Sequence, residues 1–159
     1  MKLLGGLLLI AVAAPAAARD SLGVFEGWGA FRDAKPPRCF AIAQPVRRSD
    51  GEWKPFASVA FWPTVGQRNQ VAIRLSHARR PGTAVTLHIG DHSFELVAGT
   101  TDAWAPDARA DARIVAAMRS ATSMSVEATG KNGGAFADAY RLRGAATAID
   151  AAALGCARR

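Results

Sequence analysis

The sequence predicts a mainly β domain, an antiparallel β-sandwich or barrel-like fold with two short helices. Short segments alternate apolar residues with others at a period of two, and glycine, proline or asparagine separates them at close spacing. Two further stretches repeat their apolar residues at the helical period instead. The chain of 159 residues is 50% apolar and 21% charged, which is ordinary for a globular protein and excludes disorder, collagen and coiled coils.

The first 18 residues have the organisation of a secretory signal peptide. A lysine follows the initial methionine, an apolar run covers 3–14, and small residues precede a cleavage site between Ala18 and Arg19. A membrane-spanning helix is the alternative, but the run is too short for a hydrocarbon core that needs about 20 residues. No later segment approaches that length. We therefore expect a periplasmic or secreted protein with one β-rich domain over 19–159 and no transmembrane segment in the mature chain.

Strands are predicted where apolar side chains recur at every second position between turn residues. The segment Phe56–Trp62 is instead a continuous apolar run ended by Pro63, which suits a strand buried on both faces. Gly90 and Asp91 form a two-residue hairpin turn, and 131–134 form a second turn. The predicted strands cover 39–44, 56–62, 70–76, 85–89, 93–96, 123–129 and 136–142.

Two short helices are predicted, over 107–119 and 144–156. Asp107 follows a proline and is placed as the N-cap of the first helix, with apolar residues at helical spacing behind it. The second helix starts at Gly144, and its apolar stripe has a period of 3.6. That stripe turns Cys156 toward the core.

The two cysteines, Cys39 and Cys156, are predicted to form a disulfide. In an oxidising compartment a single pair of thiols indicates one disulfide bond. A closed loop this long is worth about 4–5 kcal/mol in the chain-entropy model. Two free buried thiols are the alternative. A structural zinc site needs more ligands than two cysteines, and no histidine lies near either of them in the sequence.

The pair His88 and His92 is the one candidate for a metal site. Because Gly90 and Asp91 form the hairpin turn, His88 pairs with Ser93 and His92 with the residue that precedes the turn. The two imidazoles then lie on opposite faces of the hairpin. We therefore predict solvated turn histidines and no metal.

No catalytic residue is predicted. Ser76 and His77 carry the atoms of a nucleophile and a base, but neighbours on a strand point to opposite faces. No nucleophile elbow, P-loop or dinucleotide fingerprint occurs, and the glutamates are scattered singly. We expect a protein that is not an enzyme and has no cofactor. A pocket lined by His77 or His88 with a carboxylate nearby would instead indicate a small periplasmic hydrolase.

The chain is basic, with 20 Lys+Arg against 13 Asp+Glu and a net charge of +7. The arginines are spread in pairs, and Arg141 and Arg143 are predicted to share one solvent face of the last strand. An exported basic protein meets anionic polymers, headgroups or glycans. A solvated surface without a partner is the alternative, and no specific nucleic acid is expected. The candidate surface residues are Arg47, Arg48, Trp53, Arg79, Arg80, Arg141 and Arg143.

The four tryptophans could stack on a ligand, although buried tryptophans are common in small β domains. Trp62 lies in the most apolar run and is predicted to belong to the core. Trp53 lies between charged residues and is predicted to be the most exposed.

The order of features resembles the invasion-associated locus B family of small exported proteins from Gram-negative bacteria. The resemblance covers most of the mature chain and is strongest at the closing Leu-x-Gly-x-x-x-Ala segment. It differs at Trp104–Asp107, where the family commonly carries extra cysteines, and at Ala145, where an aromatic residue is usual. The residues that carry it are 26–31, Cys39, the hairpin 85–96, the helix end 114–118 and the segment 140–150.

The resemblance implies a β-rich periplasmic or surface protein linked to host-cell invasion or envelope stress, without an established enzyme activity. From it we expect a non-catalytic envelope or surface protein with a binding role. A module that binds polyanions or cell surfaces through the arginine pairs is the alternative, and a small hydrolase is a third possibility. The partner is then an envelope or host-surface component, of anionic character if the arginines bind it.

Overall fold

The computed structural model describes residues 19–47 and 53–157, so the predicted signal peptide (1–18) and Arg48 lie outside the described residues. The strands are β1 (Asp20–Phe25), β2 (Trp28–Ala34), β3 (Pro37–Ala43), β4 (Phe56–Trp62), β5 (Gln67–Arg74), β6 (Val85–Ile89), β7 (His92–Ala98), β8 (Asp102–Trp104), β9 (Ser123–Thr129) and β10 (Ala135–Arg141). The helices are α1 (Ala108–Ser120) and α2 (Ala145–Ala157). A mainly antiparallel β fold with two helices is therefore confirmed.

All strand pairs are antiparallel, and they form one ten-stranded sheet in the order β1-β2-β3-β4-β5-β8-β7-β6-β9-β10. The short strand β8 joins the two halves, because it pairs with β5 on one side and with β7 on the other. Inward side chains of both halves belong to one buried cluster. Hydrogen bonds also connect the halves, among them those from Val46 N–H to the Ala139 carbonyl (2.7 Å) and from Trp28 Nε1–H to the Arg141 carbonyl (2.9 Å).

The helices cover the inner side of the sheet. Helix α2 packs against β1 to β4, and α1 packs against β5, β6, β7 and α2. Both helices begin and end one residue later than predicted. Asp107 is the N-cap and accepts a hydrogen bond from the Ala110 N–H (2.8 Å), so it lies before the first helical turn. Gly144 has φ +86°, a left-handed conformation that cannot belong to a right-handed helix.

The predicted disulfide is present. Cys39 on β3 and Cys156 on α2 are bonded, with their Cα atoms 5.7 Å apart and a sequence separation of 117. Cys39 is fully buried, because it shares the inner face of β3 with Ala41 and Ala43. The disulfide thus fastens the end of the last helix to the inner face of the first half of the sheet.

Three strands, β1, β2 and β8, were not predicted from the sequence. In β1 the register shifts between Ser21 and Gly23, and this bulge breaks the period-two pattern. Strand β8 has three residues, which is too short for an alternation to show. The strand β4 was predicted with the observed bounds, but Phe56, Ser58 and Trp62 are only half-buried, so one of its faces is partly open.

Candidate functional site

The segment 76–80 follows β5 and lies against the turn that joins β9 to β10. Lys131 N–H donates to the Ala78 carbonyl (3.0 Å), and Arg80 N–H donates to the Thr129 carbonyl (2.8 Å). Arg79 and Gly130 form an isolated antiparallel bridge between them. These backbone contacts bring together two segments that are distant in the sequence.

The turn itself is held by local hydrogen bonds. Gly130 N–H donates to the Gly134 carbonyl (2.8 Å), and Asn132 Oδ1 accepts from the Gly134 N–H (3.1 Å). Gly133 has φ +88°, a backbone conformation that favours glycine. The turn is therefore a defined structure, as the sequence predicted, and it fixes the neighbouring Lys131.

A depression of about 460 Å³ opens between the turn and the segment 76–80. The His77 ring lies 5.1 Å from the Phe136 ring, centroid to centroid, at an interplanar angle of 52°. We call this depression the turn pocket. Besides glycines of the turn, it is lined by His77, Ala78, Lys131, Asn132, Ala135 and Phe136.

Two cations lie at the turn 130–134 without a nearby acid. Lys131 is exposed and lines the turn pocket. Arg80 does not line the pocket, but its guanidinium lies over Gly133, whose ideal Cβ position is 3.5 Å from Arg80 Nη2. Within the described part of the chain, no carboxylate lies within 4 Å of either cation. The rim of the turn pocket is therefore positively charged.

The prediction that Ser76 and His77 point apart is wrong. Strand β5 ends at Arg74, so these neighbours do not follow strand alternation, and Ser76 Oγ lies 2.9 Å from His77 Nδ1. The buried Asp138 carboxylate accepts a hydrogen bond from the Ser76 N–H (2.8 Å). A serine, a histidine and a carboxylate thus lie close together beside the turn pocket.

This cluster differs from a catalytic triad in its connections. In a triad the carboxylate accepts from the histidine, whereas Asp138 accepts from the backbone N–H of Ser76. Ser76 is buried and does not line the turn pocket. The neighbouring Tyr140 hydroxyl is buried, and it has no hydrogen-bond partner among the described residues. Burial and the Asp138 carboxylate raise the pKa of the Tyr140 phenol, so it stays protonated.

Arg79 has a structural role that the sequence did not indicate. Its guanidinium donates to the carbonyls of Gly99 (2.9 Å) and Ala98 (3.0 Å) and also to that of Thr83. These bonds tie the segment 76–80 to the end of β7. The prediction that Arg79 belongs to a binding surface does not fit these contacts, because each of its three guanidinium nitrogens already donates to a backbone carbonyl.

The other predicted surface residues are spread over the molecule. Arg47 is exposed and follows Val46, which is bonded to β10. Arg141 is exposed, and Arg143 lies beyond the end of β10, 3.4 Å from the Glu26 carboxylate. Arg80 lies over Gly133 of the turn 130–134, and none of the described residues of the predicted set lines the turn pocket.

The hairpin histidines lie where they were predicted. His88 pairs with Ser93 and Ile89 with His92, so the two imidazoles are on opposite faces. His88 Nδ1 lies 2.9 Å from Ser93 Oγ, and its Nε2 lies 3.5 Å from Glu127 Oε2. Among residues 19–47 and 53–157, no cluster of three or more metal-ligating side chains was found.

Two predictions about the tryptophans are wrong. Trp62 is half-buried rather than in the core, because it lies at a register shift in β4 and its Nε1–H donates to Gln70 Oε1 (2.6 Å). Trp53 is also half-buried and donates to the Leu75 carbonyl (2.6 Å). Trp104 is the exposed one, with 42% of its surface accessible.

A second cluster of charge lies on the outer face of β2 to β4, and we call it the arginine–aromatic ladder. Arg38 lies over the rings of Phe40 (4.7 Å) and Trp62 (5.4 Å), and Arg19 lies over Phe40 (5.0 Å). Both guanidinium groups donate to the Asp33 carboxylate, at 2.7 and 2.8 Å. The bond from Arg19 contributes most to lowering the pKa of Asp33 below its ordinary value, and Arg38 adds to it.

No family model matches the chain, and no curated protein or solved structure was found to be similar to it. The helices described here are too short or too polar to cross a membrane.

The sequence missed three residues of the turn pocket, namely Lys131, Asn132 and Phe136. The turn 131–134 was recognised, but only as a turn. The available signal was a cation and an amide within a glycine-rich turn, with an aromatic residue shortly after the turn. Their partner His77 is too far away in the sequence for a local pattern to reveal it.

Proposed function

We propose that the protein is an exported, non-catalytic binding protein that holds an anionic surface at the rim of the turn pocket. The observation that carries this proposal is that Arg80 and Lys131 both lie at the turn 130–134 without a carboxylate partner among the described residues. A cation that is not paired within the protein keeps its charge available for a partner. The backbone bonds of the segment 76–80 hold both cations on a fixed framework.

Export is part of the proposal and is supported by the disulfide. Disulfides form and persist in oxidising compartments such as the periplasm. The apolar leader ending at Ala18 would direct the chain there. N-terminal sequencing of the protein from a periplasmic or culture fraction should begin at Arg19, and a chain that retains its leader would contradict this step.

Membership of the invasion-associated locus B family is also a proposal. It is supported by the sequence order of the opening segment, the hairpin and the closing helix, which here belong to one β-rich fold. A structure of a member of that family tests it. The same strand order, with β8 joining the two halves, is the expected result, and a different order would overturn it.

A catalytic role finds less support than binding. The nearest candidate nucleophile, Ser76 Oγ, is buried and outside the turn pocket. The Asp138 carboxylate holds a backbone amide instead of orienting His77. The binding proposal needs only the exposed cations.

Binding to vesicles of phosphatidylglycerol in phosphatidylcholine tests the proposed function. A basic residue near an anionic membrane contributes about 1 kcal/mol, so the double variant Arg80→Gln/Lys131→Gln should bind about 30-fold more weakly. Salt should weaken binding of the wild type, because it screens exposed charges. Vesicles of phosphatidylcholine alone should bind neither protein.

The matched control is Lys35→Gln/Arg109→Gln, which removes one exposed lysine and one exposed arginine from other parts of the molecule. Both double variants change the net charge equally. If the two variants lose affinity to the same extent, binding depends on overall charge and the proposed site is wrong. If the wild type does not bind anionic vesicles, the proposed function is wrong.

A further inference from the structure

We infer that the turn pocket binds small organic anions in which a phosphate or carboxylate group is attached to an aromatic ring. This inference deepens the proposed function, because it uses the same Lys131. It adds a ligand class that the exposed charges alone do not specify. The charged group would meet the cationic rim, and the ring would lie against the apolar side of the pocket.

The turn pocket offers both kinds of contact at once. Phe136, Ala78 and Ala135 give it an apolar wall, and the His77 ring stands 5.1 Å from that of Phe136. Planar rings pack well against such aromatic pairs. The Lys131 ammonium, on the same lining, donates only and so suits an anion.

The Asn132 amide adds a polar group of fixed orientation. Its Oδ1 accepts from the Gly134 N–H (3.1 Å), which leaves the Nδ2 donors for other partners. The same hydrogen bond holds the side chain against the turn. The volume of about 460 Å³ is within the range that small-molecule sites occupy.

Other described depressions combine a cation and an aromatic ring, but in two of them an arginine already covers one of the rings. Near His92, the Arg113 guanidinium lies over the Phe94 ring at 5.6 Å. Beside the disulfide, the Trp62 ring is covered by Arg38. In the turn pocket, no cation–ring contact or ion pair of the described residues involves Lys131 or Phe136. The elements of a binding site are therefore available there.

Calorimetric titration of the mature, oxidised protein with phenyl phosphate tests the inference. Inorganic phosphate and phenol are the two comparison ligands, because each carries half of the proposed chemistry. Phenyl phosphate should bind at least about 5-fold more tightly than either. Equal affinities for phenyl phosphate and inorganic phosphate would overturn the inference, since the ring would then contribute nothing.

Variants locate the binding site. Lys131→Gln should weaken phenyl phosphate binding by about 2- to 5-fold, the range of exposed charge pairs. Phe136→Leu should weaken it by about 2- to 10-fold, the range of aromatic contacts, and should leave binding of inorganic phosphate unchanged. Because Phe136 is half-buried, His77→Gln provides a second test at an exposed lining residue and should also weaken phenyl phosphate binding.

The matched control is His92→Gln, which removes an exposed histidine from the depression beside Phe94. It should bind phenyl phosphate as the wild type does. A loss in His92→Gln equal to that in His77→Gln would place the ligand elsewhere and overturn the inference. If the protein binds vesicles but not phenyl phosphate, this inference alone is wrong. Phenyl phosphate binding without vesicle binding would reject only the proposed function.

Discussion

The arginine–aromatic ladder and the turn pocket use similar side chains in opposite ways. In the ladder, Asp33 accepts hydrogen bonds from both arginines, and the guanidinium groups lie over the aromatic rings. At the turn pocket, Lys131 and Arg80 have no described carboxylate within 4 Å, and Phe136 lines an open depression. The charged groups of the ladder are paired within the protein, whereas the cations at the turn pocket remain available to a partner.

The difference comes from where the carboxylates are used. Asp33 neutralises guanidinium groups at the surface, whereas the buried Asp138 and Asp111 accept from the backbone N–H groups of Ser76 and Val71, both at 2.8 Å. A carboxylate committed to a buried amide is not available to a surface cation. An arginine in this protein is therefore structural or available according to the carboxylates and backbone carbonyls that accept from it, and the net charge alone does not distinguish the two.

Removing the disulfide should lower the stability more than any other change proposed here. The bond belongs to the half of the sheet that carries the arginine–aromatic ladder. The double variant Cys39→Ala/Cys156→Ala should lower the free energy of unfolding by about 2–5 kcal/mol, because the loop it opens is long. Urea denaturation measures this change. Reductant should destabilise the wild type by a similar amount and leave the variant unchanged.

The same variant also tests whether the two regions are independent. The disulfide joins β3 to α2, and neither element lines the turn pocket. Phenyl phosphate should therefore bind the folded double variant with an affinity within about 2-fold of the wild type, a change smaller than that of one exposed charge. A larger loss of affinity would show that the framework of the turn pocket depends on the disulfide.

Truncating one acid in each region should give unequal, smaller effects. Asp138→Ala leaves the buried Ser76 N–H without its acceptor and should cost about 1–3 kcal/mol of unfolding free energy. Asp33→Ala removes ion pairs to the exposed Arg19 and the partly exposed Arg38 and should cost about 1 kcal/mol or less. Urea denaturation at pH 7 compares them. The control is Asp138→Asn, which keeps an acceptor oxygen and should lose much less stability than Asp138→Ala. If the two alanine variants lose equal stability, the buried bond from Ser76 N–H is worth no more than the ion pairs of Asp33.

Much of the fold could be predicted because its signals are local. Alternation located β3, β6 and β9, and a continuous apolar run located β4. The two-residue turn set the register of the hairpin, and the period of α2 turned Cys156 toward Cys39. Two of the three missed strands lack such a signal, since β1 contains a bulge and β8 has three residues. The helix starts were predicted one residue early because the N-cap Asp107 and the left-handed Gly144 lie outside the helices.

The turn pocket could not be predicted because its contacts are not local. Ser76 and Asp138 are separated by 62 residues, and the segment 76–80 reaches the turn through backbone bonds that carry no sequence signature. Arg79 shows the same limit. Beside Arg80 in the sequence it looks like half of a surface pair, and only the structure shows that its donors bind three carbonyls.

The dependence of stability on pH should have opposite signs for Asp33 of the ladder and for the buried Asp111 of helix α1. We expect it to be the smallest of these effects, because it alters only the protonation of one carboxyl at a time. The bonds from Arg19 and Arg38 lower the pKa of Asp33. The folded state therefore favours ionised Asp33, and its contribution is present above the ordinary pKa of 3.8 and lost as the pH falls through the lower folded value. Burial raises the pKa of Asp111, more than the bond from Val71 N–H lowers it. Its contribution is then present below pH 3.8 and lost as the pH rises through the higher folded value.

Urea denaturation measures the sign of each pH dependence when the wild type is compared with Asp33→Asn and Asp111→Asn. The measurements run from neutral pH to about pH 3, a range that brackets the ordinary aspartate pKa. The stability advantage of the wild type over Asp33→Asn should shrink as the pH falls. Relative to Asp111→Asn, the wild type should gain stability as the pH falls, because the protonated carboxyl resembles the amide and no longer pays for a buried charge. Asn at position 111 keeps an oxygen that can accept from Val71 N–H, so the comparison isolates the charge. Trends of the same sign would mean that Asp111 is stabilised as an anion, and the two carboxyls would then not differ in the protonation state that the fold favours.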